Sequence, residues 1–371
     1  AHGPQAREGD GAAGRGAQGR GVAEVGGHPL LAGALGMAGG GQKEQPEPQG
    51  EGGSNRGGAG EGSTGRRGVV ASAAIVVLAG ILQTMRPKQW VKNLFVLAPV
   101  VFAKNLFHEP ILLRAAAAFA GFSMLAGAVY TINDLVDVED DRRHPTKRHR
   151  PIAAGKVPEG VARVAAGALV LVGVGGTLWL DVRVGLAALA YLALNLAYSF
   201  KLKQFAYLDV GIIAVGFVLR VVAGSYAVST PAQPVRPSLY LLLCTAFLSL
   251  FLGFGKRYHE LSVNAAKARD ALRFYSLPTL RLALWATALG TVGVYLAWTL
   301  RPPEILQFAQ GYLWATTPFV LVGIGRFVKL LGSSQGESPT DAMLRDVPFV
   351  LTVVSWTLLV VAMIYRLRPT G

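Results

Sequence analysis

Of the 371 residues only one, Cys244, is a cysteine, so the chain carries no disulfide framework and no zinc site built on several thiolates. No Cys/His cluster has zinc spacing, and the scattered His144, His149 and His259 read as loop histidines. No G-x-x-x-x-G-K-S/T stretch occurs, which excludes a nucleotide P-loop, and no Ser/His/Asp or Cys/His triad suggests itself. Acidic residues are scarce as well: 22 Asp and Glu against 36 Lys and Arg leave a net charge of +14. In a soluble protein that excess would point to nucleic acid. Here 51% of residues are hydrophobic and the mean hydropathy is +0.39 despite a polar N-terminal stretch. The rest of the chain is therefore apolar enough for a bilayer. Its positive charge reads as positive-inside loops and anionic headgroups or substrates, with no nucleic-acid partner expected.

Residues 1–68 are Gly-rich with few large apolar side chains, and such a segment cannot offset the entropy of ordering. They are expected to form a disordered tail, in which the apolar patch Pro29–Met37 is too short to span. Residues 69–371 are expected to form one transmembrane catalytic domain. Val69–Leu82 reads as an interfacial or tilted helix, with Arg86, Lys88, Trp90 and Lys92 at headgroup level. Nine spans follow: Val91–Phe107, Leu112–Asn133, Val161–Leu180, Val184–Phe200, Asp209–Val228, Ser238–Gly255, Leu280–Leu300, Gly311–Leu331 and Val347–Arg366. Loops after even-numbered spans hold most of the cations, among them Arg142, Lys147, Arg150, Lys201, Lys203, Lys256, Lys267, Arg269, Arg273 and Arg345. By the positive-inside rule these loops face the cytoplasm, which places the N-terminus inside and the C-terminus outside.

The richest stretch is Tyr130–Gly155, YTINDLVDVEDDRRHPTKRHRPIAAG. A helix leaving the second span would carry Asn133, Asp134, Asp137 and Asp141 on one face. Four oxygen-bearing side chains at a membrane helix end are costly unless a cation sits among them. Oxygen ligands select a hard ion, Mg²⁺ before Zn²⁺ and with Mn²⁺ as a substitute, and Mg²⁺ brings substrate phosphates with it. The metal candidates are Asp134, Asp137 and Asp141. Arg142, Arg143, His144, Lys147, Arg148 and Arg150 follow at once and could take the phosphates.

Further along, AYSFKLKQFAYLD offers Tyr198, Lys203 and Asp209. Arg220 lies eleven residues past Asp209, three helical turns along the same face, and an arginine inside a span marks an anion site or a buried carboxylate's partner. At the end of the sixth span GFGKRYHEL places Lys256 and Glu260 as i, i+4 neighbours, with Arg257 on a different stripe.

The acidic block resembles the first aspartate-rich motif, N-D-x-x-D-x-x-x-D, of the UbiA superfamily of intramembrane prenyltransferases. MRPKQWVKN (Met85–Asn93) and HPTKRHRPIAAG look more like its decaprenyl-phosphate phosphoribosyltransferase branch. The resemblance covers about Thr84 to Tyr365. It implies an all-α bundle of nine helices around a cavity open to the cytoplasm. It also implies a Mg²⁺-dependent transfer of 5-phosphoribosyl from phosphoribosyl pyrophosphate to a polyprenyl phosphate, for a cell-wall arabinan precursor, in the plasma membrane. Asp134, Asp137, Asp141 and Asp209 would be catalytic. Lys92, Asn133, Arg142, Lys147, Arg150, Tyr198, Lys203, Arg220, Lys256 and Arg257 would bind substrate. Members that prenylate aromatic rings carry a second motif, D-x-x-x-D, where this chain has Asp209 but Ile213. An aromatic prenyltransferase and a transporter stand as alternatives, and the oligomeric state is open, a homo-oligomer included.

Overall fold

A computed structural model describes residues 74–263, 274–301, 312–333 and 339–366. The expected tail 1–68, the patch Pro29–Met37 and the cations Lys267, Arg269 and Arg273 lie outside the described residues. The described residues contain helices and no strands. A short apolar helix, α1 (Ala74–Thr84), comes first. A 3-10 segment, Pro87–Val96, leads into α2 (Ala98–Phe102), followed by α3 (Glu109–Val136) and α4 (Val138–Arg143). Then come α5 (Glu159–Leu180), α6 (Val182–Phe200), α7 (Leu208–Ala227), α8 (Leu239–Val263) and α9 (Leu277–Thr299). The remaining helices are α10 (Thr317–Ser333), α11 (Pro339–Arg345) and α12 (Val347–Arg366).

Eight of these, namely α3, α5 to α9, α10 with its preceding turn, and α12, are long and apolar enough to cross a membrane. Exposed Trp179, Leu171 and Leu358 turn large apolar surface outward, as lipid contact requires. The protein is a multi-pass membrane protein. The nine expected spans differ from these eight at Val91–Phe107, which is not a helix of spanning length but the 3-10 segment followed by the five residues of α2. That segment still runs antiparallel to α3. Arg86 meets Asp134 at one end, Asn93 meets Ser123 midway, and Val100 packs with Ile111 and Ala115 at the other.

Helices gain little from apolar contact in lipid, so close packing and polar contacts have to hold them together. Gly224 shows the packing: a Cβ there would stand 2.0 Å from the Val96 carbonyl oxygen, so only glycine lets the 3-10 backbone lie against α7. The polar contact centres on Arg220. Its Nε donates to Asn93 Oδ1 (2.8 Å), its Nη1 to the Gly216 carbonyl (2.9 Å) and its Nη2 to the Tyr191 hydroxyl (2.8 Å). Asn93 Nδ2 donates in turn to Ser123 Oγ (3.0 Å). One network thus ties α3, α6, α7 and the 3-10 segment, which buries Asn93 and Val96 and leaves Val91 and Leu94 exposed.

The start of α3 fixes which helix ends lie together. Arg114 donates to the Ala227 carbonyl at the end of α7 and to the Leu180 carbonyl at the end of α5, a cation on two helix C-termini. The end of α3 and the beginning of α7 therefore share the opposite side of the bundle. All four predicted aspartates sit on that side.

Candidate active site

The helix expected to carry the acidic face breaks at its centre. α3 ends at Val136, Asp137 takes φ −90° and ψ 8°, and α4 begins at Val138. The break is slight, because the Asp137 amide still reaches the Asn133 carbonyl (2.9 Å) and the Asp141 amide the Asp137 carbonyl (2.8 Å). Asp134 and Asp141 lie seven residues apart, two helical turns, and so keep one face. Both are buried, and one cation bridges them: Arg150 Nη1 stands 3.2 Å from Asp134 Oδ1 and 2.6 Å from Asp141 Oδ2. Arg86 Nη2 donates to Asp134 Oδ1 at 2.6 Å, and Lys147 Nζ lies 4.0 Å from Asp141 Oδ1.

Local sequence explains how the cations reach this point. Ile152 and Val157 bury themselves against Val138 and Ala162, which pins the loop so that Arg150 points back at the acids. Gly155, at φ 71°, supplies the left-handed turn that lets the loop close. Arg86 itself sits at φ 52°, a strained conformation for a residue with a Cβ and before a proline. Its guanidinium also lies over the Tyr130 ring, 4.8 Å from the centroid. Arg86, still 34% exposed, pairs with the buried Asp134.

The other candidates near this cluster divide. Asp137 is half-buried and has no partner among the described residues, and Asn133 and Lys92 are half-buried. Arg142 is exposed and turned away, pairing with Glu139 (2.5 Å) and Glu159 (3.1 Å). Among the described residues no group of three or more His, Cys, Asp or Glu side chains is gathered as a metal would gather them. The donor set nonetheless fits a hard cation at Asp134 and Asp141: two buried carboxylates already share one positive atom, and oxygen donors are what Mg²⁺ takes. Asp137 does not join them here.

A second cluster forms around Asp209, in the first turn of α7. Its Oδ2 accepts from Arg257 Nε (2.7 Å), and its Oδ1 accepts from the Tyr275 hydroxyl (2.6 Å) and the Val210 amide (2.8 Å). Arg257 Nη1 donates to Glu260 Oε2 (2.5 Å), while Lys256 Nζ stays 3.9 Å from Glu260 Oε1. Arg257 thus does not face a separate stripe; it reaches both carboxylates. α8 continues past Gly255 to Val263, so Lys256, Arg257 and Glu260 lie on the helix itself. Burial, with the hydrogen bond to Asp209, pushes the Tyr275 hydroxyl pKa well above the ordinary tyrosine value. Tyr207, at φ 64°, is strained just before α7, and its amide donates to the Tyr275 hydroxyl (2.6 Å). Tyr198 is half-buried within electrostatic reach of Arg257, and Lys203 is exposed in the Leu202–Gln204 turn.

Arg220 joins neither cluster. It is buried, lies over the Tyr191 and Phe217 rings, and among the described residues meets neutral acceptors and no carboxylate. His259 is also not a loop residue: it is buried in α8 against the Leu331 carbonyl.

The sequence profile of the UbiA prenyltransferase family matches residues 93–365. The chain belongs to the UbiA prenyltransferase family. The decaprenyl-phosphate phosphoribosyltransferase of Mycolicibacterium smegmatis is 35% identical over 303 residues, covering 78% of this chain and 93% of that protein. The enzyme of the same name from Corynebacterium glutamicum is 34% identical over 294 residues, 77% of this chain and 87% of that one. Among solved structures, a UbiA homologue from Archaeoglobus fulgidus bound to GPP and Mg²⁺ aligns over 77% of this chain and 99% of its own, with a TM-score of 0.56 at 16% identity. That likeness establishes a UbiA fold. In this UbiA protein, sequence reasoning missed Arg86 and Tyr275. Arg86 stood in a motif already noticed and could have been found; nothing near Tyr275 in the sequence marks it.

Proposed function

We propose that this protein transfers a 5-phosphoribosyl group from phosphoribosyl pyrophosphate to a polyprenyl phosphate, decaprenyl phosphate being the form its relatives' names imply, and releases pyrophosphate. The observation that carries the reading is the Asp134–Arg150–Asp141 bridge, a carboxylate pair held by cations from a solvent-facing loop. The names of relatives matched over most of their length support it. In the reaction the ribose C1–O bond to pyrophosphate breaks, its electron pair leaves with the pyrophosphate, and a phosphate oxygen of the lipid bonds to C1. That oxygen is already ionised near neutral pH, so no strong general base is needed. Mg²⁺, held by Asp134 and Asp141 with Asp137 at hand, would supply charge neutralisation for the leaving pyrophosphate. Arg86, Lys147 and Arg150, released from the carboxylates, would turn to the diphosphate oxygens.

The aspartates lie on the side of the bundle whose loops carry most of the cations. We read that side as cytoplasmic, the membrane as the plasma membrane, and Pro87–Phe102 as a ninth crossing. A 3-10 helix rises about 2.0 Å per residue, so sixteen residues in this mixed conformation reach most of the way across a core of about 30 Å. The test is a purified-protein assay with labelled phosphoribosyl pyrophosphate and polyprenyl phosphate, run beside prenyl diphosphate and 4-hydroxybenzoate. Labelled phosphoribosyl lipid in the first arm alone is expected. Prenylated 4-hydroxybenzoate without phosphoribosyl lipid would replace this reading with aromatic prenylation.

A further inference from the structure

We propose that Arg257 and Glu260 form a reader of sugar hydroxyls, Arg257 Nη2 donating to one hydroxyl oxygen of a ribose diol and Glu260 Oε1 accepting from the other hydroxyl. The inference rests on the donor being a ribose phosphate, as argued above. Arg257 is 4% exposed, yet two of its three nitrogens are committed: Nε to Asp209 and Nη1 to Glu260. Nη2, with two N–H groups, has no partner among the described residues. It is not sealed away, since the only buried and unpartnered side-chain atoms among the described residues are Asn105 Nδ2 and Thr317 Oγ1. An accessible charged donor with two N–H groups is placed to meet an acceptor that a ligand supplies.

The acceptor half stands beside it. Glu260 Oε2 is taken by Arg257, while among the described residues Oε1 has only Lys256 Nζ at 3.9 Å, beyond hydrogen-bond distance. The Glu260 side chain is 25% exposed, so the pair can be reached from outside. Among the described residues the formal charges of Lys256 and Arg257 match those of Asp209 and Glu260. A charge-balanced pair that offers one donor and one acceptor suits a ligand portion with vicinal hydroxyls better than a phosphate. Asp209 is then a positioning residue: with both oxygens engaged by Arg257, Tyr275 and Val210, it holds the guanidinium in place. A prenyl diphosphate has no hydroxyls to meet this pair, so the pair would also set donor choice.

The test compares kcat/KM for phosphoribosyl pyrophosphate with that for its 2-deoxy and 3-deoxy analogues in the wild type, Arg257→Lys and Glu260→Gln. The wild type is expected to prefer the full diol on the order of 10- to 100-fold, the worth of a hydrogen bond to a charged group. Both variants should lose most of that preference against at least one analogue. Lys keeps the charge beside Asp209 and Gln keeps the shape, so a folded protein is expected in both. A purely structural role would slow all three donors alike and leave the ratios unchanged, and that result overturns the proposal while phosphoribosyl transfer itself stands. Wild-type protein that turns over no phosphoribosyl donor defeats the reaction reading, and the diol reading with it.

Discussion

The two acidic clusters on one side of the bundle hold their charge in opposite ways. At Asp134 and Asp141 the cations come from outside: the Arg86, Arg150 and Lys147 side chains are 34%, 28% and 46% exposed. At Asp209 the cation is Arg257, 5% exposed, and a tyrosine hydroxyl and a backbone amide occupy the other carboxylate oxygen. Cations on a loop can yield to a metal and a diphosphate, because water and substrate can take over their partners. A buried pair such as Asp209–Arg257 cannot part without leaving a buried charge bare. The first cluster is thus suited to exchange its partner during a reaction, and the second to stay as it is.

The largest effect should come from removing charge at the first cluster. Asp134→Asn and Asp141→Asn should each lower the saturating rate on the order of 10²–10³-fold, the usual worth of one electrostatic group at a transition state. Asp137→Asn should also slow turnover while leaving the detergent melting temperature unchanged. Arg142 pairs with Glu139 and Glu159, so no ion pair is lost with the Asp137 charge. A normal rate with a lowered melting point in Asp137→Asn would make this stretch a structural loop.

Stability should show the reverse order. Arg257→Ala strands Asp209 in the bundle, and breaking a buried pair costs about 3–5 kcal/mol. Arg150→Ala removes a partly exposed cation and leaves Asp134 its Arg86 partner and Asp141 the nearby Lys147, so its loss should be smaller. Chemical denaturation in detergent reads both. Equal losses would erase the distinction between the clusters.

A smaller effect should appear in alkali. The raised Tyr275 pKa means its contribution is whole below the ordinary tyrosine value of about 10 and is lost as pH rises through the folded value. Melting temperature should therefore fall above about pH 10, and Tyr275→Phe should shrink that fall. An unchanged alkaline profile in Tyr275→Phe would remove the hydroxyl from the account.

Much of this was legible in the chain. Long apolar runs marked the eight spanning helices, and the ordered acid-then-base block marked the first cluster together with Arg150. Two things were hidden for physical reasons. Apolar content cannot tell a 3-10 segment from an α-helix, so Val91–Phe107 read as an ordinary span; the close approach at Gly224 and the Asn93–Arg220 contact depend on tertiary packing. Long-range pairing was the second. Tyr275 lies 66 residues from Asp209, and no local periodicity records such a contact.

Mn²⁺ binding to the purified protein, followed by electron paramagnetic resonance with pyrophosphate present, tests the contrast between the clusters most directly. The account predicts that Asp134→Asn and Asp141→Asn weaken Mn²⁺ binding by at least about tenfold, as loss of a ligand charge should, while Asp209→Asn binds as the wild type does. Loss of Mn²⁺ binding in Asp209→Asn, with Asp134→Asn and Asp141→Asn unaffected, would contradict it.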